Sequence, residues 1–345
     1  MKAVTLAAVD EVAVRDVPEP RIDQPTDAVI RLRAGAICGS DLHVYHGQMG
    51  AMEKDYPIGH EYVGVVEEVG PLVRGFRPGM RVGGSFFSAC GECDACRRRQ
   101  FTQCQEIQLF GFGARFGGLA GSQAERVRIP HADHTLIALP DEISDEQGLF
   151  LGDALTTAYF GVRRADIEPG MTVAVVGCGP VGQLAVECAQ VFGAARVIAL
   201  DLVPQRLAQA EEIGAMPVLA DGDAAKRVRA LTGGRGADAV VEAVGSEATL
   251  NLSLRLAAGF ATVSAIGVFP QPSVPILIGR AFDRDLTVRA GMANIQAEAA
   301  ATRELVRAGR LHPERLVTHR MPLEDAPQAY ALFARREAGK VILNV

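Results

Sequence analysis

Two spacings of apolar residues divide this chain. Up to about residue 150 the apolar runs are short and lie between glycine and proline turns, as at 28–32 (Ala-Val-Ile-Arg-Leu) and 62–69 (Tyr-Val-Gly-Val-Val-Glu-Glu-Val). Runs of this length and bounding are strand signals. They predict a compact barrel-like or sandwich-like β domain. From about residue 155 the strand-like runs 172–177, 197–201, 238–245 and 261–267 alternate with helix-length segments such as 181–192. In that segment Val181, Ala185 and Cys188 have core spacing, and Gly193 supplies the stop. Alternating β and α elements predict a parallel, doubly wound sheet. Beyond about residue 290 a helix-like stretch near 298–308 leads to a strand-like close at 340–345. There is no internal repeat and no low-complexity tract.

Composition narrows the class. A chain of 345 residues has room for two domains and a sizeable core. A net charge of −6 gives no sign of attraction to nucleic acid or membrane. The triple Arg97–Arg99 reads as a local solvated face. No apolar stretch reaches the roughly 20 residues of a spanning helix. The opening run Met1 to Leu6 is broken by Asp10 and Glu11 and does not read as a signal peptide. Seven cysteines, four of them at metal spacing, argue for reduced thiols and a cytoplasmic home.

Those four are Cys90, Cys93, Cys96 and Cys104. Four thiolates so close in sequence can close a tetrahedron around one zinc, a structural arrangement with no open position. An iron–sulfur centre is the alternative at this density. A second motif follows the strand at 172–177. Gly177, Gly179 and Gly182 with Pro180 and Val181 form G-x-G-x-x-G in strand–turn–helix context. Gly177 permits the tight turn, Gly179 lets a pyrophosphate approach, and Gly182 lets helix and strand pack closely. Asp201, at the end of the next strand-like run, can bind both ribose hydroxyls of NAD and repel the 2′-phosphate of NADP. Arg206 lies where it can accommodate that phosphate, but Asp201 favours NAD.

Three further segments hold potential ligands: Cys38-Gly-Ser40-Asp41-Leu-His43, Gly59-His60-Glu61 and Gly152-Asp153. Spacing alone does not group them. With the cysteine lobe and the glycine turn, however, the chain resembles the zinc-dependent medium-chain alcohol dehydrogenases over essentially its whole length. The resemblance implies an α/β fold: a GroES-like, β-rich catalytic domain (1–155, with the zinc lobe at about 88–106), a Rossmann NAD-binding domain with a doubly wound parallel sheet (156–290), and a segment (291–345) returning to the catalytic domain.

The resemblance further implies that Cys38, His60 and Asp153 hold a catalytic zinc, with Asp153 where many relatives have cysteine. Glu61 lies behind the metal as a transient ligand. Lys340 aligns with a basic residue that can pair with it, and is also counted among the cofactor contacts. Asp41 orients the histidine ligand. Ser40 and His43 match a proton relay, and Thr157 packs against the nicotinamide. Ile266 and Val268 lie in a loop that offers backbone groups to the carboxamide. Phe86 lines the alcohol site or is a core aromatic. The glycine- and aromatic-rich segment 109–117 is a pocket rim or a subunit-contact loop.

The implied activity is reversible hydride transfer between a primary or secondary alcohol and NAD, with two zincs per chain in a homo-oligomer, a tetramer by analogy. The expected partner is a small alcohol or carbonyl, with neither nucleic acid nor membrane. The rival enzyme is a polyol dehydrogenase of the sorbitol or threonine type. The rival from another class is a non-catalytic zinc- or nucleotide-binding protein.

Overall fold

A computed structural model describes residues 1–50 and 52–345. It divides into two units, Met1–Thr156 with Asn294–Val345, and Thr157–Ala293.

In the first unit, among the described residues, the main sheet runs in the order Leu136–Ala138, Arg81–Gly84, Glu61–Val69, Ala28–Ile37, Lys340–Asn344 and Val317–Pro322. Arg126–Ile129 pairs with the far half of Ala28–Ile37. Lys340–Asn344 and Val317–Pro322 run parallel, and the other neighbours antiparallel. A smaller sheet joins Glu11–Asp16, Lys2–Ala8 and Tyr56–Pro57. Two apolar clusters cover these strands. One gathers Ile37, Val44, Ile58, Tyr330 and Val341, and the other Ile30, Leu32, Tyr62, Val66 and Phe110. The β-rich pattern of the first half thus builds layered sheets whose middle is completed by the last residues of the chain.

The four-cysteine lobe holds the short helix Asp94–Arg97 and the turn Phe101–Gln103. Arg99 fastens it to the start of the helix Ile295–Arg307. Its carbonyl accepts from the Asn294 amide at 2.6 Å, and its guanidinium donates to the Ala297 carbonyl at 3.1 Å.

In the second unit, among the described residues, Met216–Leu219, Arg196–Asp201, Thr172–Val176, Ala237–Glu242, Ala257–Ala265 and Thr287–Ala290 form one parallel sheet in that order. Thr172–Val176 is buried along its whole length, as its unbroken Val and Ala run requires of a strand covered on both faces. The order reverses at this strand, so its carboxyl end is the topological switch point where such sheets bind ligands. Two expected strands differ in a bound by three residues or more. The run 238–245 stops at Glu242, whose carboxylate turns back to accept the Val244 and Gly245 amides at 2.9 and 2.8 Å. The run 261–267 starts early, at Ala257, and ends at Ala265. Met216–Leu219 escaped notice because Pro217 argues against a strand. It lies at the sheet edge, where proline is tolerated.

The helix Asp145–Leu151 starts on a capping box, Ser144 accepting from the Gln147 amide while the Gln147 side chain accepts from the Ser144 amide. Asp145, its first residue, receives Arg81 at 2.7 Å and Arg33 at 3.1 Å. Burial pushes the Asp145 carboxyl up, but the hydrogen bonds and charges of these two arginines outweigh it and hold it below the usual range. A depressed carboxyl contributes stability that is complete above its unfolded value, about 3.9, and is lost as pH falls through the folded value. Asp145→Asn is therefore expected to unfold about 1 kcal/mol more easily than the parent at pH 7. The gap should close below about pH 4. Urea titrations across that range check it; a gap that does not vary with pH would remove the ion pair from the account.

Candidate metal centre and cofactor turn

Sheet register assembles the metal site. Strands Ala28–Ile37 and Glu61–Val69 pair with Ala36 opposite Glu61. Cys38, just past the end of one, and His60, just before the start of the other, therefore emerge side by side. The third donor arrives through a close backbone approach. A Cβ on Gly152 would sit 1.8 Å from the Gly84 carbonyl oxygen, so only glycine lets the Asp145–Leu151 helix end against this strand. The Gly152 carbonyl accepts from the Phe86 amide at 3.1 Å, and Asp153 follows.

The three donors come within 4.8 Å of one another. The Cys38 thiol donates to Asp153 Oδ2 at 3.2 Å, and His60 Nε2 lies 3.1 Å from the same oxygen. All are withdrawn from water, with 7, 1 and 8% of Cys38, His60 and Asp153 exposed. Burial, then the charges of Asp153 and Glu61, push the Cys38 thiol up. Burial is also the largest influence on His60 and pushes it down. The Asp41 charge and the hydrogen bonds to Asp153 and Asp41 outweigh it, so His60 stands well above its usual value. The set suits zinc: a thiolate and a carboxylate match the ion's two charges, the imidazole is neutral, and borderline-soft zinc takes all three donor types.

Asp41 serves two of the three ligands. Its Oδ1 lies 2.9 Å from His60 Nδ1, and its Oδ2 accepts the Cys38 backbone amide at 2.9 Å. The Asp41 charge beside Nδ1 favours the proton on that nitrogen and leaves Nε2 facing the other donors. Ser40 Oγ is 3.2 Å from that Nε2. His43, on the helix Asp41–Tyr45, places Nδ1 2.6 Å from Gln48 Oε1. Glu61 is fully buried and receives the Lys340 ammonium at 2.5 Å. That ammonium also donates to the Ile37 carbonyl at 3.3 Å. Burial pushes Lys340 down, but Glu61 outweighs it and the group stays charged. Lys340 is thus paired with Glu61 inside the first unit.

Two aromatic rings flank His60, Phe86 at 6.2 Å and Phe112 at 5.3 Å between centroids. Phe112 comes from the 109–117 segment, whose alternating glycines gave no hint of which aromatic turns inward. Sequence also missed Gln123, buried behind Asp41, since no spacing links it to the motif. Thr157 is buried on the helix Ala154–Arg163.

In the four-cysteine lobe the sulfurs also lie within 4.8 Å of one another. Backbone amides point at them: Cys90 N donates to Cys104 Sγ at 3.3 Å, Cys93 N to Cys90 Sγ at 3.4 Å and Glu106 N to Cys104 Sγ at 3.3 Å. The Cys96 and Gln105 amides hold the Cys93 thiol down to about 6. Such donors stabilise thiolates, the form that binds metal.

The glycine turn in the second unit has the expected form. Gly177 has φ +92°, and a Cβ on Gly182 would lie 1.7 Å from the Gly177 carbonyl oxygen. Gly179 caps the helix Pro180–Val191 without a side-chain acceptor, leaving the first amides free for an anion. Asp201 closes its strand; its Oδ2 accepts the Cys178 amide at 2.7 Å and its Oδ1 the Val203 amide at 2.9 Å. Arg206 stands 3.8 Å from Asp201 Oδ2. Ile266 is buried, and its side chain would lie 2.7 Å from a Cβ on Gly161, while Val268 is part-exposed.

The chain is similar to known proteins over its length. Residues 24–141 match the model of the alcohol dehydrogenase GroES-like domain, and 180–306 that of the zinc-binding dehydrogenase. The chain belongs to the zinc-dependent medium-chain alcohol dehydrogenase family. Within that family it is 35% identical to an uncharacterized zinc-type alcohol dehydrogenase-like protein, AdhB, of Bacillus subtilis, over all of both chains. The solved alcohol dehydrogenase TADH of Thermus sp. ATN1 is 44% identical over all of both chains, with a TM-score of 0.96. A zinc-binding dehydrogenase structure from Sinorhizobium meliloti 1021, bound to NADP, is 31% identical with a TM-score of 0.85, and the match covers all of this chain and 99% of that one. The family is one of oxidoreductases. No helix among the described residues is long and apolar enough to cross a membrane.

Single replacement of Cys38, His60 or Asp153 by Ala is expected to lower bound zinc by about one ion per chain. Far-UV circular dichroism should not change. Metal analysis of the purified variants tests this, and full zinc retention in any two of them would break up the trio.

Proposed function

We propose that this protein is a zinc- and NAD-dependent alcohol dehydrogenase acting reversibly on small to medium, apolar primary or secondary alcohols and the matching aldehydes or ketones. The observation that carries the reading is the buried trio Cys38, His60 and Asp153, three unlike donors brought together from three separate segments. A ligand set of three leaves a fourth zinc position for substrate. Zinc there supplies a Lewis acid that polarises the substrate C–O bond.

The chain's own residues do the rest. Asp41 fixes the His60 tautomer and the Cys38 backbone. Phe86 and Phe112 give the His60 side an apolar wall, which favours apolar substrates over phosphorylated ones. Ser40, beside His60, takes the departing proton, and His43 passes it to solvent. With His43 Nδ1–H donated to Gln48, Nε2 is the nitrogen left to accept the proton. Glu61, its charge matched by Lys340, is a reserve ligand. A second zinc in the cysteine lobe is structural. The lobe's amide-to-sulfur bonds support it. The 177–182 turn would hold the cofactor's pyrophosphate and Asp201 its ribose, while Thr157 and the backbone of Ile266 and Val268 would serve the nicotinamide end. A homo-oligomer, tetrameric on the family pattern, and a cytoplasmic setting complete the proposal.

A steady-state screen of simple alcohols, polyols and carbonyls with NAD and NADP tests the function. Turnover of a simple secondary alcohol with NAD is expected. Preference for polyols would replace the substrate class, and no turnover with any pair would refute the enzyme reading. Cofactor choice rests on one charge. Asp201→Asn keeps an acceptor for only one of the Cys178 and Val203 amides, and it loses the repulsion toward a 2′-phosphate. The ratio of kcat/KM for NAD over NADP should fall by about tenfold or more, equivalent to about 1.4 kcal/mol. An unchanged ratio would take Asp201 off the ribose.

A further inference from the structure

Behind Asp41 the structure holds a line of buried hydrogen bonds whose direction is forced. Gln123 is fully buried. Its backbone is pinned from two sides, the carbonyl accepting from Val4 N at 2.8 Å and the amide donating to the Ile58 carbonyl at 3.1 Å. Its side-chain amide nitrogen faces the Ala36 carbonyl at 3.1 Å and Asp41 Oδ2 at 3.4 Å. Both are pure acceptors, so the amide cannot be flipped without setting oxygen against oxygen. Gln123 Oε1 then faces Tyr330 Oη at 2.9 Å, and the hydroxyl must donate. Tyr330, fully buried on the helix Ala326–Ala334, also packs its ring 5.6 Å from that of Tyr45, on the helix that Asp41 begins.

Every proton in this line points inward, from Tyr330 to Gln123 and from Gln123 to Asp41. The last link meets Oδ2, which already takes the Cys38 amide, and so leaves Oδ1 to His60 Nδ1. The space for it is reserved. Gly59, directly before His60, has φ +92°, and a Cβ there would lie 2.3 Å from Gln123 Cγ. A side chain at 59 would therefore displace either Gln123 or His60.

We propose that Gln123 and Tyr330 are positioning residues for the metal site, a hydrogen-bond line of fixed direction that holds the Asp41 carboxylate in the rotamer serving both Cys38 and His60. The inference rests on the zinc reading of that trio. Buried polar lines of this kind strengthen one another and select a single arrangement. Partners of a metal's histidine influence metal affinity by about 10–100-fold. A residue one bond further out should have a smaller effect in the same direction.

Zinc transfer from the intact protein to a chromogenic chelator gives the test, with Tm measured in parallel. The release phase absent from Cys38→Ala identifies the ion concerned. Tyr330→Phe deletes only the hydroxyl and is expected to speed that phase about three- to tenfold. It should also alter the visible spectrum of the cobalt(II)-substituted protein and lower kcat more than it raises KM. Gln123→Met is expected to act the same way and more strongly. In an Asp41→Ala background, Tyr330→Phe should change release no further, because the line would then have lost its target. A Tyr330→Phe protein with a lower Tm but parental release rate and cobalt spectrum would reduce the hydroxyl to a packing role and overturn the proposal. So would an undiminished effect in the Asp41→Ala background. Identical release from parent and Cys38→Ala would instead overturn the zinc reading, and this inference with it.

Discussion

The pairing register of three neighbouring strands governs the first unit. Ala36 faces Glu61, and Ile37 faces Val341. Cys38, His60, Glu61 and Lys340 thereby gather at one place in the sheet. Strand side chains alternate faces, so a slip of one residue would turn each of these groups to the wrong side. The apolar clusters on the two faces resist that slip, since it would also expose their contributors. Packing thus fixes the register, and the register fixes the chemistry.

Charge is then arranged around that frame. Four carboxylates or thiols (Cys38, Asp41, Glu61 and Asp153) lie buried close together. Lys340 balances Glu61, while the backbone amide of Cys38 and the ring of His60 satisfy Asp41. Burying a pair such as Lys340–Glu61 gains little over an apolar pair, but losing one partner strands the other at a cost of about 3–5 kcal/mol. The site is therefore stable only as a set, which ties metal binding to the integrity of the C-terminal strand.

Much of this was legible in the sequence, for reasons that can be named. The glycine turn is local, and its geometry demands glycine where φ is +92° at Gly177 and where helix meets strand at Gly182. The four cysteines are local too. Cys38, His60 and Asp153 are not, and became a group only through resemblance; no rule of spacing joins residues brought together by sheet register and a close approach at Gly152. Gln123, Tyr330 and Phe112 were illegible for the same reason. Each is an ordinary buried residue until its partner is known. The strand end at Glu242 was misread because a carboxylate capping its own following turn looks, in sequence, like one more strand position.

The order of the main sheet has a consequence for how the protein is made. Lys340–Asn344 lies inside the sheet, beside Ala28–Ile37, although it is synthesised only after the whole second unit. A nascent chain that has reached residue 293 holds all of the second unit and every ligand of the metal trio. It still lacks the strand that flanks Ala28–Ile37, the cation for Glu61 and the hydroxyl that meets Gln123. During translation the first unit must wait, its central sheet open along one edge, while the inserted unit can close on contacts it already possesses.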